Sequence, residues 1–186
     1  MRVTMESKFY KFLDGIYKIM KLSILFILSL IGVVTLFSSL TSIAYITRKW
    51  IENGEVDIFK DYKKLFKENI RESIILTLIF FLLFIILEIG KSLSFIYGIL
   101  EIYFLIYFLI IAYIKANYEM KIKAILTFSI KLLNLNIWII VPVLGVLYLM
   151  YVIYVFNIFL FTVFGIGLGL VLFNVLIYYI LRKFNK

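Results

Sequence analysis

Five long apolar runs restrict the fold of this chain more than any other feature. Each run contains 15 to 25 residues, and only one of them contains a charged side chain. They are Leu22–Ile46, Ser73–Leu87, Leu93–Ile114, Leu132–Phe156 and Asn157–Leu181. A helix of about 20 apolar residues crosses the hydrocarbon core of a bilayer, whereas the strands of membrane barrels alternate between apolar and polar residues. Hydrophobic residues make up 65% of the 186 residues, above the roughly 45–50% of soluble domains. The runs therefore predict an all-α, polytopic bundle of transmembrane helices.

The basic residues lie between these runs, and their placement predicts an orientation. Of the 20 Lys and Arg residues, 19 lie in segments 1–21, 47–72, 115–131 and 182–186. Because positively charged loops remain on the cytoplasmic side of a membrane, we expect both chain ends and the two internal segments to be cytoplasmic. Ser42-Ile43-Ala44 resembles a signal-cleavage site, but the amphipathic start and the equally apolar remainder of the chain favour an uncleaved segment.

This orientation requires the first run to return to the side from which it enters. We expect a helical hairpin over residues 22–50, with a turn at Thr35–Ser39, where three hydroxyl side chains interrupt the apolar sequence. The second arm, from about Ser38 to about Trp50, is short for a full span. Two full crossings and a re-entrant turn both fit, and the whole chain then has about six helices. The alternative is one ordinary span, five in total, with the amino terminus outside.

We expect residues 1–186 to form a single integral membrane domain, which contains several further parts besides the hairpin. The parts are an interfacial amphipathic helix at 1–21, cytoplasmic segments at 51–72 and 115–131, and two spans each in 73–114 and 132–181. Within the first cytoplasmic segment, Asn53-Gly54 indicates a turn and Asp57 indicates an N-cap. The basic amphipathic segments fit a bilayer with anionic headgroups as partner. Nucleic acid is not expected as a partner.

A few polar and small residues lie at membrane depth. Glu101 is the one acid inside a run, and a charged, unpaired carboxylate there costs about 2.5–3.5 kcal/mol. It forms either a solute or proton site, with Asn157 and Asn174 as further polar groups, or a hydrogen bond between helices, which we favour. Gly165 and Gly169 form a small-residue face for helix packing. Pro142 is expected to kink its span.

The residue types needed for most catalysis are missing. The chain contains no His and no Cys, so the commonest general base and the thiolate metal ligands are absent. No GxxxxGK[ST] phosphate loop occurs either. We therefore expect no enzyme, no catalytic residue, no cofactor and no metal.

Two stretches, Thr35–Trp50 and Ile58–Ser73, resemble the YesL-like family, which consists of small bacterial membrane proteins of unknown function. The matching positions are Thr35, Arg48, Lys49, Trp50, Phe59, Phe66, Lys67, Asn69 and Ser73. The resemblance is best over residues 8–75, and beyond them only hydropathy and length agree. At the turn, Gly32, Phe37 and Ser38 stand where the family pattern has Pro, Gly and Pro.

The resemblance implies a function but no catalytic residue. Family members often lie beside carbohydrate ABC-uptake genes, which implies a non-enzymatic accessory of such a transporter in the bacterial cytoplasmic membrane, with ABC transporter subunits as partners. The docking face would then be cytoplasmic, formed by Trp50, Phe59, Phe66, Lys67 and Asn69. The alternative is a membrane-embedded solute-binding or transport subunit, such as the substrate-capture component of an energy-coupling transporter. The oligomeric state does not follow from the sequence.

Overall fold

The structure is a computed structural model that describes residues 8–30, 32, 35–91, 95–135 and 139–184. Throughout these residues the regular structure is helical, which confirms the predicted all-α bundle. The helices are α1 (Lys8–Ser29), α2 (Leu36–Asn53), α3 (Ile58–Lys91), α4 (Phe95–Asn117), α5 (Ile122–Leu135), α6 (Ile140–Phe156), α7 (Ile158–Leu160), a π-helical segment (Phe161–Gly165) and α8 (Ile166–Phe184). Three stretches are long and apolar enough to cross a membrane, namely Ile58–Gly90, Ile96–Asn117 and Ile158–Lys183.

Helices α1 and α2 form the expected hairpin. The Trp50 ring lies beside Gly15, and the Lys18 amine donates to the carbonyl oxygen of Gly54 at 3.4 Å. At the other end of the pair, the hydroxyls of Ser29 and Ser39 share a hydrogen bond. The two helices are therefore antiparallel. The first helix is continuous from Lys8 to Ser29, so the amphipathic segment and the start of the first apolar run belong to one helix.

The turn of this hairpin lies earlier than predicted. It connects Ser29 to Leu36, whereas Ser38 and Ser39 are fully buried inside α2. Their hydroxyls do not interrupt the helix, because serine can bond a carbonyl of the preceding turn. Ser39 donates to the carbonyl oxygen of Thr35 at 3.1 Å, and Ser38 donates to that of Phe66 in α3 at 2.8 Å. The hydroxyl residues of α2 are thus small packing residues of a central helix.

Helices α3 and α4 form a second and longer antiparallel pair. The Lys115 amine lies 2.5 Å from the Glu72 carboxylate, and the rings of Phe80 and Phe104 have centroids 4.8 Å apart. Helix α2 packs against both members of this pair. It runs parallel to α4, because Phe37 lies beside Phe108 and Arg48 reaches the end of α4.

The α1–α2 hairpin ends beside the middle of α4. The first turn of α2 contacts α3 through the amide of Phe37, which donates to the Thr77 hydroxyl at 3.3 Å. Beyond Thr77, α3 continues for about 14 residues, or about 21 Å at the rise of a helix. Helix α4 begins a similar distance before Phe108. The α3–α4 pair therefore extends far beyond the turn of the hairpin.

The fourth apolar run falls partly outside the described residues. Helix α5 is described to Leu135 and α6 from Ile140, so the continuity of the predicted span Leu132–Phe156 across residues 136–138 lies outside the described residues. Pro142 lies in the first turn of α6, where the missing N–H has no helical partner in any case. It therefore begins a helix and does not kink one.

The glycines of the last span lie at close helix contacts. Gly165 faces Ile153 of α6, and a side-chain carbon at Gly169 would overlap Met150 of the same helix. Gly167, which the sequence analysis did not single out, faces α1 instead. Its amide donates to the Ser23 hydroxyl at 2.7 Å. The signal that could have found it is the repetition of glycine at every second position from 165 to 169.

Candidate docking surface and polar cleft

The first half of α3 begins as the sequence predicts. Gly54 has a φ of 73°, a left-handed conformation that favours glycine, so the Asn53-Gly54 turn is confirmed. Asp57 caps the helix, because its Oδ1 accepts a hydrogen bond from the amide of Lys60 at 3.2 Å. Together the turn and the cap reverse the chain between α2 and α3.

A row of exposed basic side chains follows this cap on one face of α3. We call these residues the basic row: Lys60, Lys63, Lys64, Lys67 and Arg71. Their spacing of three or four residues places them on the same side of the helix. Phe59 lies at the start of the row with 63% of its surface exposed. Glu68 lies at the edge of the row. The result is a cationic surface with one aromatic residue at its end.

Other acids near the row pair with cations of neighbouring helices. Lys49 of α2 donates to Asp61 at 2.6 Å, and this hydrogen bond raises the pKa of Lys49 above its ordinary value. Glu72 pairs with Lys115 of α4. These two ion pairs link α3 to α2 and to α4, and they leave the charge of the basic row uncompensated.

The basic row projects past the end of α4. The contact of Glu72 with Lys115 lies two residues from Asn117, where α4 ends. Lys60 lies 12 residues before Glu72, which is about 18 Å along the helix axis. The first turns of α3 are therefore flanked by α1 and α2 but not by α4.

The structure separates the residues of the predicted docking face. Phe59 and Lys67 are exposed. Trp50 packs against the core of the hairpin beneath Lys18, whose amine lies 5.3 Å from the ring centroid. Phe66 packs on the same core and stacks on Tyr62, and the Asn69 side chain bonds to the carbonyl oxygen of Leu65. Trp50 and Phe66 are partly buried against the hairpin core, so the most exposed part of the surface is formed by Phe59 and the basic row.

A polar cleft of about 390 Å³ lies between the ends of α2 and α4. Arg48 is its central cation. Its Nε donates to Glu52 at 2.9 Å, and its Nη1 donates to the carbonyl oxygen of Asn117 at 3.0 Å. The cleft is lined by Tyr45, Arg48, Lys49, Glu52, Asn53, Lys115, Ala116, Asn117, Tyr118 and Glu119. The sequence analysis named Arg48 and Lys49 only as matching positions, and it did not bring them together with Asn117.

Asn117 leaves one hydrogen-bond acceptor of this cleft unused. Its Nδ2 donates to the carbonyl oxygen of Tyr113 at 2.8 Å, but its Oδ1 is buried and has no partner among the described residues. The hydroxyl of Thr47, one residue before Arg48, is likewise buried without a partner there. Buried polar atoms are usually hydrogen-bonded. Within the described part of the chain, the Asn117 oxygen is therefore an unsatisfied, buried acceptor in the wall of the cleft.

The three polar residues predicted at membrane depth have different surroundings. Glu101 is half-buried in the second turn of α4. Asn157 lies in the turn before α7, and its Oδ1 accepts from the amide of Leu160 at 3.0 Å. Asn174 is buried in α8 and donates to the carbonyl oxygen of Leu170 at 2.9 Å. Both asparagines thus bond within their own helical segments. No group of three or more acids able to hold a metal ion occurs in the part of the chain that the structure describes.

Comparison with known proteins gives one match. A family described as "Protein of unknown function, DUF624" matches residues 19–90, which extend from the middle of α1 almost to the end of α3. No curated protein and no solved structure matches the chain. The matched residues include the second half of α1, all of α2, the basic row and half of the residues that line the polar cleft. Over this part the chain is similar to an uncharacterised family, and the YesL-like resemblance stays a prediction.

Proposed function

We propose that this protein is a non-enzymatic membrane subunit that binds a larger membrane complex from the cytoplasmic side. Its docking surface is the basic row together with Phe59. The partner is a carbohydrate ABC uptake transporter, as the YesL-like resemblance implies. The observation that carries the proposal is the projection of this charged surface past the end of α4.

The projection distinguishes a protein partner from lipid headgroups. The headgroup layer is only about 5–7 Å thick on each side of the hydrocarbon core. If the end of α4 marks the edge of that core, Arg71 and Lys67 lie at headgroup level. Lys60 lies about 10 Å beyond the headgroups, since it is about 18 Å from Glu72. The first part of the row therefore faces water, where an acidic protein surface is the fitting partner.

Phe59 adds specificity to this electrostatic attraction. Charged side chains at an interface mainly govern approach and orientation. Buried aromatic side chains usually contribute much of the binding energy. We therefore expect the partner to offer an apolar notch bordered by acidic residues, with Phe59 inserted into the notch and Lys60 and Lys63 beside the acids.

The test reverses charges at the far end of the row. The double variant Lys60→Glu, Lys63→Glu should lower the co-purification of transporter subunits from native membranes at least fivefold, because like charges then face the acidic partner. The matched control is Lys121→Glu with Lys123→Glu, which makes the same charge change at an exposed site elsewhere. Equal recovery of every partner by both double variants, at matched membrane levels, would exclude this surface.

The polar cleft supports a second candidate function, the binding of a small hydroxylated solute. The observation in its favour is the unused acceptor of Asn117 beside the Arg48 guanidinium. Substituting Asn117→Leu should abolish the binding of a sugar probe, with glucose and maltose each measured by calorimetry. Asn69→Leu is the control, because Asn69 makes the same bond to the carbonyl four residues earlier but lies outside the cleft. The absence of binding to the unsubstituted protein would reject this candidate.

A further inference from the structure

Among the described residues, several hydroxyl side chains form hydrogen bonds at the turn of the α1–α2 hairpin. The Thr35 hydroxyl donates to the carbonyl oxygens of Ser29 and Gly32. The Tyr62 hydroxyl donates to the carbonyl oxygen of Leu25 at 3.3 Å and lies 3.1 Å from the Ser29 hydroxyl, which is itself bonded to Ser39. At an aqueous surface, water would satisfy such carbonyls. In hydrocarbon they require partners within the protein.

The position of the turn agrees with this chemistry. It lies at the level of Thr77, about one turn into the apolar half of α3, and of Phe108, near the middle of α4. Beyond it, residues 81–86 of α3 are exposed on every side of the helix, and all six are apolar. Such a helix is stable only where lipid covers it. The hairpin thus ends within the apolar layer, and α3 and α4 continue through the rest of it.

The early end of the hairpin leaves an apolar chamber of about 400 Å³. Its walls include Leu36 and Leu40 of the hairpin, Phe80 and Phe84 of α3, and Leu105 and Phe108 of α4. Thr77 is the one hydroxyl residue among the lining side chains, and its oxygen already accepts the Phe37 amide. The lining of the chamber is therefore almost wholly apolar.

We propose that the hairpin is re-entrant and that the chamber beyond its turn holds one acyl chain of a phospholipid from the opposite leaflet. The mouth of the chamber is continuous with the exposed apolar face of α3 and α4. Phe81, Phe84 and Leu105 line the chamber and remain partly exposed, Phe81 over 48% of its surface. A lipid lying against that face therefore has direct access to the chamber.

The apolar lining of the chamber favours a hydrocarbon occupant. Water does not fill apolar cavities, whereas a cavity of about 150 Å³ already takes up a small hydrocarbon. An acyl chain is narrow, flexible and present at this depth.

Native mass spectrometry tests the acyl chain directly. The protein extracted from phospholipid membranes and washed in detergent should retain about one phospholipid per chain. Two variants that fill the chamber, Leu105→Trp and Leu109→Phe, should each lower this retention at least fivefold. Ile102→Trp is the matched control, because Ile102 is exposed on the same helix but does not line the chamber. Circular dichroism and the melting temperature establish that each variant is folded.

Several results would overturn the proposal. The first is undiminished phospholipid retention in both filling variants, and the second is an equal loss of phospholipid in the Ile102→Trp control. The third is a filling variant that alters a protein–protein complex and leaves phospholipid retention unchanged. The headgroup provides a further criterion, because no charged residue lines the chamber. Phosphatidylglycerol and phosphatidylethanolamine should be retained equally, and a strong preference for one would indicate a headgroup site instead.

Cysteine labelling tests the depth of the turn in this Cys-free chain. A cysteine at Leu30 should resist a membrane-impermeant maleimide from both sides of the membrane. A cysteine at Glu55, exposed beside the basic row, should react in inside-out vesicles. Reaction of the Leu30 cysteine in intact cells would mean that the hairpin crosses completely, and the re-entrant assignment would then be wrong.

Discussion

Removing the Thr35 hydroxyl gives the sharpest stability test of the hairpin turn. Thr35→Val keeps the shape of the side chain but deletes the donor to the carbonyl oxygens of Ser29 and Gly32. A buried acceptor left without a partner costs about 1–3 kcal/mol. Hydrogen bonds measured within membranes average about 0.6 kcal/mol, with a maximum of about 1.7. For two carbonyls in a dry site we expect a loss of about 1–3 kcal/mol.

The same substitution at an accessible hydroxyl supplies the comparison. Thr127 is exposed on α5 and bonds to the carbonyl oxygen of Lys123 at 3.0 Å. Water can replace that bond, so Thr127→Val should cost less than about 0.5 kcal/mol. The assay is reversible unfolding of the detergent-solubilised protein, with the melting temperature as a second readout. A loss of 2 kcal/mol corresponds to about 4–8 °C in a chain of this size. Equal stability of the two variants would show that the turn is hydrated.

Three further tests have distinct expected outcomes. Gly167→Ala should lower the free energy of unfolding by about 1–3 kcal/mol, because the added carbon would overlap the Ile19 backbone and Ser23. Gly98→Ala is the control, since a side-chain carbon there meets nothing within 4 Å and should not reduce the melting temperature. Trp50→Ala should lower the melting temperature by the equivalent of about 1–3 kcal/mol, because its partly buried ring packs against the hairpin core. An unchanged melting temperature with lost partner binding would return Trp50 to the docking surface. Glu101→Gln should preserve both the melting temperature and solute uptake. Glu101→Leu should lower the free energy of unfolding by about 0.6–1.7 kcal/mol. Normal folding with abolished uptake in the Gln variant would show that Glu101 contacts a proton or solute in function.

The sequence predicts the helices and their ends where interactions between residues a few positions apart determine them. Uncharged runs require lipid, and the Asp57 cap and the Gly54 turn follow from side-chain and backbone chemistry within a few residues. The hairpin turn was misplaced because Ser38 and Ser39 can either end a helix or bond back to it, and the choice depends on the packing of α3 against α2. Hydropathy alone does not contain that information.

The candidate sites depend on contacts between distant parts of the chain. Arg48 and Asn117 are 69 positions apart, so the cleft that they form has no local signature. The burial of Trp50 likewise follows from its position opposite Gly15, which an amphipathic pattern in one helix cannot reveal. The basic row, by contrast, is a spacing pattern within α3, and its cations were predictable as one face of a helix.

Site-specific photo-crosslinking at Phe59 tests the proposed docking function most directly. A photoreactive amino acid in place of Phe59 should form a covalent adduct with a subunit of a carbohydrate ABC transporter in living cells. The same amino acid in place of Ile79, an exposed residue in the apolar half of the same helix, should yield no such adduct. Crosslinking to the transporter from position 59 alone is the predicted result. Two results would contradict a docking surface at the charged end of the bundle. In the first, both positions form adducts with lipid and neither with the transporter; in the second, position 79 crosslinks to the transporter and position 59 does not.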